Sequence, residues 1–348
     1  MERRFEVRKR RLMAECEVGP AVFQGTIDRL NQFVEPFIVS LCRREQGDNV
    51  RMYVAGLLSD LERKNVESIA YRYDRDRQAL QHFVGAAPWD HRQLVEELVT
   101  QVGRELGEAD GVLVFDPSGF PKKGHDSVGV DRQWLGRLGK VDNGQVGVYL
   151  GYVSRKEHAL VDVRLFLTKS WANDRKRRKK CGVPKHIGFQ TRHELALEML
   201  DADGPRLPHA WIAGDEEMGR STWFRGALRE RNEHYLLAVP SNTVVRDLDG
   251  MPLAWSARGV ALKRPFEQAR AWAAGLPEAA WTRIDARDGH KGPLQMDIIT
   301  CRVEAKTEGT WIGPEELLVV TRRPDDEGTL TIDYYLSNAS PDTPLAEF

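Results

Sequence analysis

The chain has 348 residues, 41% of them apolar and 30% charged, with a formal net charge of −1. That composition excludes a disordered chain, and no apolar run nears the roughly 20 residues needed to cross a bilayer. Net charge alone argues against a dedicated polyanion binder, but residues 174–180, DRKRRKK, and residues 1–12 each gather six basic side chains.

Residues 1–20 read as a basic tail that lacks the apolar stretch and cleavage site of a secretory signal. Met13 is a candidate start. Four separated cysteines (Cys16, Cys42, Cys181, Cys301) form no CxxC pair and fit reduced thiols. Residues 21–108 read as a helical domain. In AVFQGTIDRLNQFVEPFIVSLCRR, Phe23, Ile27, Leu30, Val34 and Phe37 recur at spacings of three and four, with Pro36 as a kink or break. VRMYVAGLLSDLER is a second predicted helix and DRDRQALQHFVG a third, closed by Gly85. WDHRQLVEELVTQVGREL is the fourth, capped by Asp90. Arg63, Lys64 and Arg72 leave a DNA-contacting bundle open beside simple packing.

After Ala109 the pattern changes. GVLVF reads as a buried strand, and QVGVYLGYVS with HALVDVRLFL as a hairpin turning at Arg155–Glu157. TRHELALEMLD is a helix, HAWIAGDE a strand, GRSTWFRGALRERN a helix and EHYLLAVPSN a strand. A meander followed by alternating β and α units predicts a mixed sheet with helices on its faces. Residues 243–310, with Trp255, Trp272, Trp281 and the strand LQMDIITCRVEA, read as an insertion. EELLVVTRRPDDEGTLTIDYYLSN reads as a closing hairpin turning at Asp325–Gly328.

FDPSGFPKKGHD poses a choice between a phosphate-cradling loop and a metal-binding carboxylate. Gly119 and Gly124 have P-loop spacing, but His125-Asp126 stands where Lys-Ser/Thr is required, and no helix follows. A carboxylate at the end of a buried strand suits a divalent cation instead. The pattern recurs where an apolar strand ends at Gly214-Asp215. Asp116 and Asp215 on adjacent strands can therefore converge on a metal pair that clamps a phosphodiester. Glu216 and Glu217 suit the first turn of a helix as exposed acids. Ser118, Ser221 and the histidines form no nucleophile elbow.

FDPSGFPKKGHDSVGVDRQWLGRLGKVDNGQVGVYLGYV, TRHELALEMLD and AGDEEMGRSTWFRGALRERNEHYLLAVPSNT resemble DDE-type insertion-sequence transposases. The branch is that of insertion-sequence family 701, within the wider family 4 group. YVAGLLSDLERKNVESIA and YYLSNASPDTPL extend the resemblance over residues 18–348. It implies an α/β fold: an RNase H-like mixed sheet with a β-rich insertion after its fifth strand, preceded by the N-terminal helical domain. The implied organisation is a core at 109–242, the insertion at 243–310 and a closing hairpin at 311–348.

The resemblance also implies Asp116 and Asp215 as the first two catalytic acids and metal ligands, with Mg2+ (or Mn2+) as cofactor. Double-stranded DNA, as transposon ends and target, is the implied partner, and a homo-oligomer stays open. The implied setting is the bacterial cytoplasm, in association with the nucleoid. The family's third acid, a glutamate, lies on a helix beyond the YYLSNA…TPL pattern. The chain stops at Phe348 ahead of it. The expectation is a truncated transposase with the glutamate missing and apolar sheet surface exposed. An inactive DNA-binding remnant that competes with full-length enzyme, or a metal-dependent nuclease, are the alternatives.

For the DNA, Lys122 and Lys123 are candidates to position the scissile phosphate. Arg175, Lys176, Arg177, Arg178, Lys179 and Lys180 are candidates for the backbone, with Trp171 beside them. Arg220 is a candidate phosphate contact, Trp223 reads as core, and His125 as a loop histidine rather than a ligand.

Overall fold

The computed structural model describes residues 25–41, 43–250, 264–289, 292–306, 312–324 and 328–348. The basic tail, Met13, Cys16, Cys42, Trp255 and most of the Asp325–Gly328 turn lie outside them. The described residues divide into two compact units, one ending at Leu98 and one running from Val99 to Phe348.

In the first unit, α1 (Thr26–Val39) passes through Pro36, which removes one backbone bond near the helix end without stopping it. Helix α2 (Arg44–Leu57) starts six residues before the expected Val50, because the Gln46 side chain accepts from the Arg43 amide and closes its first turn. A separate helix α3 (Val66–Arg72) was not expected. Asn65 starts it by accepting from the Ser68 amide at 2.8 Å. Helices α2 and α3 touch closely at Gly56, where a Cβ would fall 2.5 Å from Ile69. With α4 (Arg77–Gly85), they bury Ile69, Ala70, Leu80 and Phe83 beneath Tyr53, Leu61 and Trp89. Arg72, one of the suggested DNA contacts, pairs with Asp60 at 2.9 Å. Helix α5 spans His91–Glu105.

The second unit is built on β1 (Val112–Pro121), β2 (Asp131–Leu135), β3 (Lys140–Val153) and β4 (His158–Leu165). Short helices α6 (Lys169–Asn173) and α7 (Arg175–Lys180) follow, then α8 (Arg192–Asp203) and β5 (Trp211–Gly214). Next come α9 (Glu216–Arg220), α10 (Thr222–Glu230) and β6 (Tyr235–Ala238). Strand β3 pairs antiparallel with β1 and β4, while β1–β5 and β5–β6 are parallel. The order β4-β3-β1-β5-β6 is the RNase H-like arrangement, and the fold is a mixed α/β sheet preceded by helices.

The sheet does not stop there. Strands β7 (Val244–Asp247), β8 (Glu267–Gln268), β9 (Thr282–Gly289) and β10 (Gly292–Lys306), with helix α11 (Ala269–Ala274), precede β11 (Glu315–Pro324) and β12 (Leu330–Ser337). Strand β12 pairs with β6, and the order continues β12-β11-β10-β7-β8. Trp272, Val303, Leu318 and Leu336 belong to the core of this extension.

Two features of β1 and β3 bear on function. Strand β1 runs six residues past Phe115 instead of ending there. Its pairing with β5 stops at Phe115–Gly214, whereas its pairing with β3 continues to Pro121–Gly144. The edge that β5 leaves free accommodates Pro117 and Pro121. Strand alternation also sorts the residues into two faces. Leu113, Phe115, Val146, Val148, Leu150, Ile212 and Leu237 are buried on one face, with Phe224 of α10 meeting Phe115 edge-on. Asp116, Ser118 and Phe120 of β1 share the opposite, open face with Tyr149 of β3 and the exposed Val163 and Leu165 of β4.

Candidate active site

Phe115 and Gly214 are the last partners in the parallel β1–β5 ladder. Asp116 and Asp215 are the next residue of each strand, so their backbones leave the ladder side by side, at about the 4.7–4.9 Å strand spacing. Apolar residues drive both strands into the core, and the first polar residue of each emerges at the same edge.

The carboxylates are held differently. Asp116 Oδ2 accepts from the Ser118 hydroxyl at 2.8 Å. Asp215 caps α9, its Oδ1 accepting from the amides of Glu217 and Met218 at 3.0 and 3.1 Å. Helix α9 is pressed against β6 so tightly that a Cβ on Gly219 would stand 2.0 Å from the Ala238 carbonyl oxygen. Asp215 stays exposed, but desolvation by the chain packed around its carboxyl, then the charges of Glu217 and Asp116, raise it above the usual aspartate range, against the two amides that lower it. Tyr149 stands opposite Asp116 on β3, and burial followed by the Asp116 charge raises its hydroxyl. The two aspartates therefore repel each other electrostatically as well as neighbouring in sequence register.

Of the neighbouring acids, Glu216 is exposed in the first turn of α9. Glu217 is only partly exposed, and Arg192 of α8 grips it through both carboxylate oxygens at 2.7 and 2.5 Å. His193 Nε2 lies 3.0 Å from the Glu217 carbonyl oxygen. Sequence reasoning missed Arg192 and His193. The signal available was the Thr191–Glu194 capping box, which places both in the first turn of α8. Among the described residues no group of three or more His, Cys, Asp or Glu side chains is arranged to hold a metal ion.

The basic candidates fall into two sets. Lys122 and Lys123 are exposed on the loop after β1, and α7 packs against that loop: Arg177 donates to the His125 carbonyl and Lys180 pairs with Asp126 at 3.1 Å. Arg175, Lys176, Lys179 and Lys180 are exposed. Arg177 and Arg178 turn inward instead. Arg177 lies 3.7 Å over the Trp171 ring and also donates to the Val130 carbonyl. Arg178 donates to the carbonyls of Ala172, Pro184 and Ile187. Trp171 is fully buried, its Nε1 donating to the Val130 carbonyl at 2.8 Å, so it offers no surface to DNA. Arg220 is exposed at the end of α9. Trp223, expected in the core, is 53% exposed. Helix α10 turns Phe224, Arg225, Ala227 and Leu228 inward, and that phase leaves position 223 outside.

A family model described as DDE superfamily endonuclease matches residues 36–293, a span that contains both aspartates. The probable transposase for insertion sequence element IS701 of Microchaete diplosiphon is 42% identical over 205 residues, covering 56% of this chain and 49% of that protein. A mycothiol acetyltransferase of Sanguibacter keddieii is 29% identical over 132 residues, covering 38% of this chain and 39% of that protein. The chain thus spans half or less of the length of these curated relatives. The endonuclease match covers more of the chain than either relative and runs through the whole β1–β6 core. The chain belongs to the DDE superfamily endonuclease family.

Proposed function

We propose that the chain works in insertion-sequence transposition, with Asp116 and Asp215 as the metal-binding acids that cut and transfer DNA strands. The observation that carries this reading is the register: both acids follow the last pair of one parallel ladder. The all-oxygen donor set suits a hard divalent cation, Mg2+ or Mn2+. So does the electrostatics, because a cation relieves the like-charge pressure that raises the Asp215 carboxyl.

A divalent cation bound there supplies Lewis-acid stabilisation to the attacking and leaving oxygens of a phosphodiester. The chain's own part is positioning. Ser118 orients the Asp116 carboxylate, and the Glu217 and Met218 amides orient that of Asp215. Arg192 offsets the charge of Glu217 and keeps it from competing for the cation. The exposed Lys122, Lys123, Arg175, Lys176, Lys179 and Lys180 take the phosphate backbone, and Arg220 a phosphate nearer Asp215. Among the described residues no helix is long and apolar enough to cross a membrane.

A second reading, DNA binding without cleavage, draws on the Glu217–Arg192 pair, which engages a further carboxylate whose charge acts on Asp215. One experiment separates the two. The purified chain is incubated with a labelled duplex carrying candidate insertion-sequence ends, in Mg2+ or Mn2+, beside Asp116→Asn and Asp215→Asn. Cleavage lost in both variants supports the enzyme. A mobility shift without cleavage supports the binding reading, and cleavage that survives both substitutions overturns the site.

A further inference from the structure

Beyond the acid pair, the open face of β3 continues into a feature that the endonuclease reading does not use. Strand β1 leaves β3 at Gly144, and from there to Lys140 the pairing is with β2 alone, register Asp131–Gly144 to Leu135–Lys140. The result is a two-stranded ribbon turned by Gly136–Gly139. One side of it is anchored: Leu135 is fully buried in van der Waals reach of Gly119 and Gly144. The other side holds the cross-strand pair Trp134–Val141, 54% and 49% exposed, with Leu138 at the tip 40% exposed.

Trp134 and Val141 lie on the same face as Asp116, because Tyr149, Asp116's partner, is eight residues from Val141 on one strand. Eight residues of β3 span about 27 Å, the length of about eight base steps of duplex DNA. The ground between is basic. The loop from Lys122 to Val130 crosses this face, tied down by Asn143 Nδ2 to the carbonyls of Lys122 and Gly124 at 2.6 and 2.9 Å and by Gln145 to that of Val128. It carries Lys122 and Lys123, with α7 against its flank. The ribbon itself bears Arg132, Arg137 and Lys140 against the two carboxylates of Asp131 and Asp142, the latter paired with Lys140 at 2.9 Å.

We propose that this ribbon is a second DNA contact, in which Trp134 stacks on an unpaired base about eight nucleotides from the phosphodiester held at Asp116 and Asp215. The proposal rests on the DNA reading of the acid pair. Ammonium groups are depleted at protein–protein interfaces, whereas a phosphate backbone takes them readily. That favours DNA over a second copy of the chain as the occupant. An exposed indole finds a π-face on a base outside the duplex stack, not on an intact duplex. Trp134 therefore discriminates between DNA structures, while the lysines hold both.

The test uses fluorescence anisotropy with two probes, a 30-bp duplex and the same duplex with a ten-nucleotide single-stranded tail. Trp134→Ala is expected to raise Kd for the tailed probe about tenfold, to leave the duplex Kd unchanged, and to keep the salt slope. Trp134→Phe restores most of the loss. A thermal melt confirms that the variants fold. Equal Kd values for wild type and Trp134→Ala on both probes overturn the ribbon proposal and leave the acid pair standing. Loss of an oligomer in sedimentation, with DNA binding unaltered, also overturns it and assigns the ribbon to a copy–copy contact. Failure of the wild-type chain to bind either probe overturns the DNA reading itself.

Discussion

Arg192 closes on Glu217 with Nη1 2.7 and 2.5 Å from the two carboxylate oxygens, joining the first turn of α8 to the first turn of α9 beside Asp215. Glu217 is one of the charges that push the Asp215 carboxyl up. The guanidinium offsets it at contact distance. Arg192→Gln therefore adds about one uncompensated negative charge to the acid pair. Mn2+ titration calorimetry is expected to show about tenfold tighter binding, equivalent to about 1.4 kcal/mol of added attraction. Glu217→Gln is expected to weaken it. Identical affinities in both variants would mean that solvent, not Arg192, screens Glu217.

The Asp215 carboxyl carries a second expectation, and its sign follows from proton linkage. A carboxyl raised in the folded state binds its proton more tightly folded than unfolded. Its contribution to stability is present below the unfolded value and is lost as pH rises through the folded one. Asp215→Asn removes that loss, and Asn also caps a helix well. The variant is expected to melt higher than wild type at pH 7, with the gap closing as pH falls through the aspartate range. It should no longer be stabilised by Mg2+. Asp215→Ala forfeits the cap as well, at a cost of about 1 kcal/mol. If Asn and Ala melt alike at pH 7, the cap is not contributing.

Far from solvent, Arg225 of α10 and Glu316 of β11 form an ion pair at 2.8 Å with side chains 2% and 1% exposed. Arg225 also donates to the Gly219 carbonyl, and Tyr235 donates to Glu316. The pair thus ties the strand extension to the helix that begins at Asp215. Glu316→Gln leaves a buried guanidinium without its counter-charge, and urea unfolding is expected to lose about 3–5 kcal/mol. The double change Arg225→Met with Glu316→Leu should cost less than the sum of the single changes. Additive losses would show that the two side chains act independently.

The side-by-side placement of Asp116 and Asp215 was legible because its signal is local. A run of apolar residues ended by an aspartate, occurring twice, needs no tertiary information to be noticed. What was illegible depends on neighbours. GVLVF read as the whole strand, yet β1 continues through Pro117 and Pro121 because β5 leaves that edge free. Trp171 and Trp223 exchanged roles: the one expected near DNA is buried under Val130, and the one expected in the core faces solvent. Aromatic residues serve either place, and only the helix phase decides. The ribbon strand Asp131–Leu135 escaped notice because five residues alternate too briefly to stand out. Arg192 lay in plain view, but its target is 25 residues away on another helix.

The basic run divides the same way, which gives it a discriminating test. Counterion release makes the salt slope of DNA binding a count of phosphate contacts, at roughly 0.9 per contact on duplex DNA. Arg175, Lys176, Lys179 and Lys180 are exposed, while Arg177 and Arg178 spend their donors on backbone carbonyls. Replacing the exposed four by Gln is expected to flatten the slope by about 2–4 and to leave the melting temperature within a degree or two. Replacing Arg177 by Ala takes a donor from the His125 carbonyl and from the Val130 carbonyl, which keeps Trp171 Nε1, and uncovers the Trp171 face, while Arg178→Ala takes a donor from three carbonyls. Each is expected to lose about 1–3 kcal/mol of stability, with little change in slope for the fraction that stays folded. On the proposed reading the helix serves DNA through one face and the fold through the other. A slope that flattens equally in both sets, with stability intact, would show that the inward contacts are dispensable and that all six cations reach the backbone.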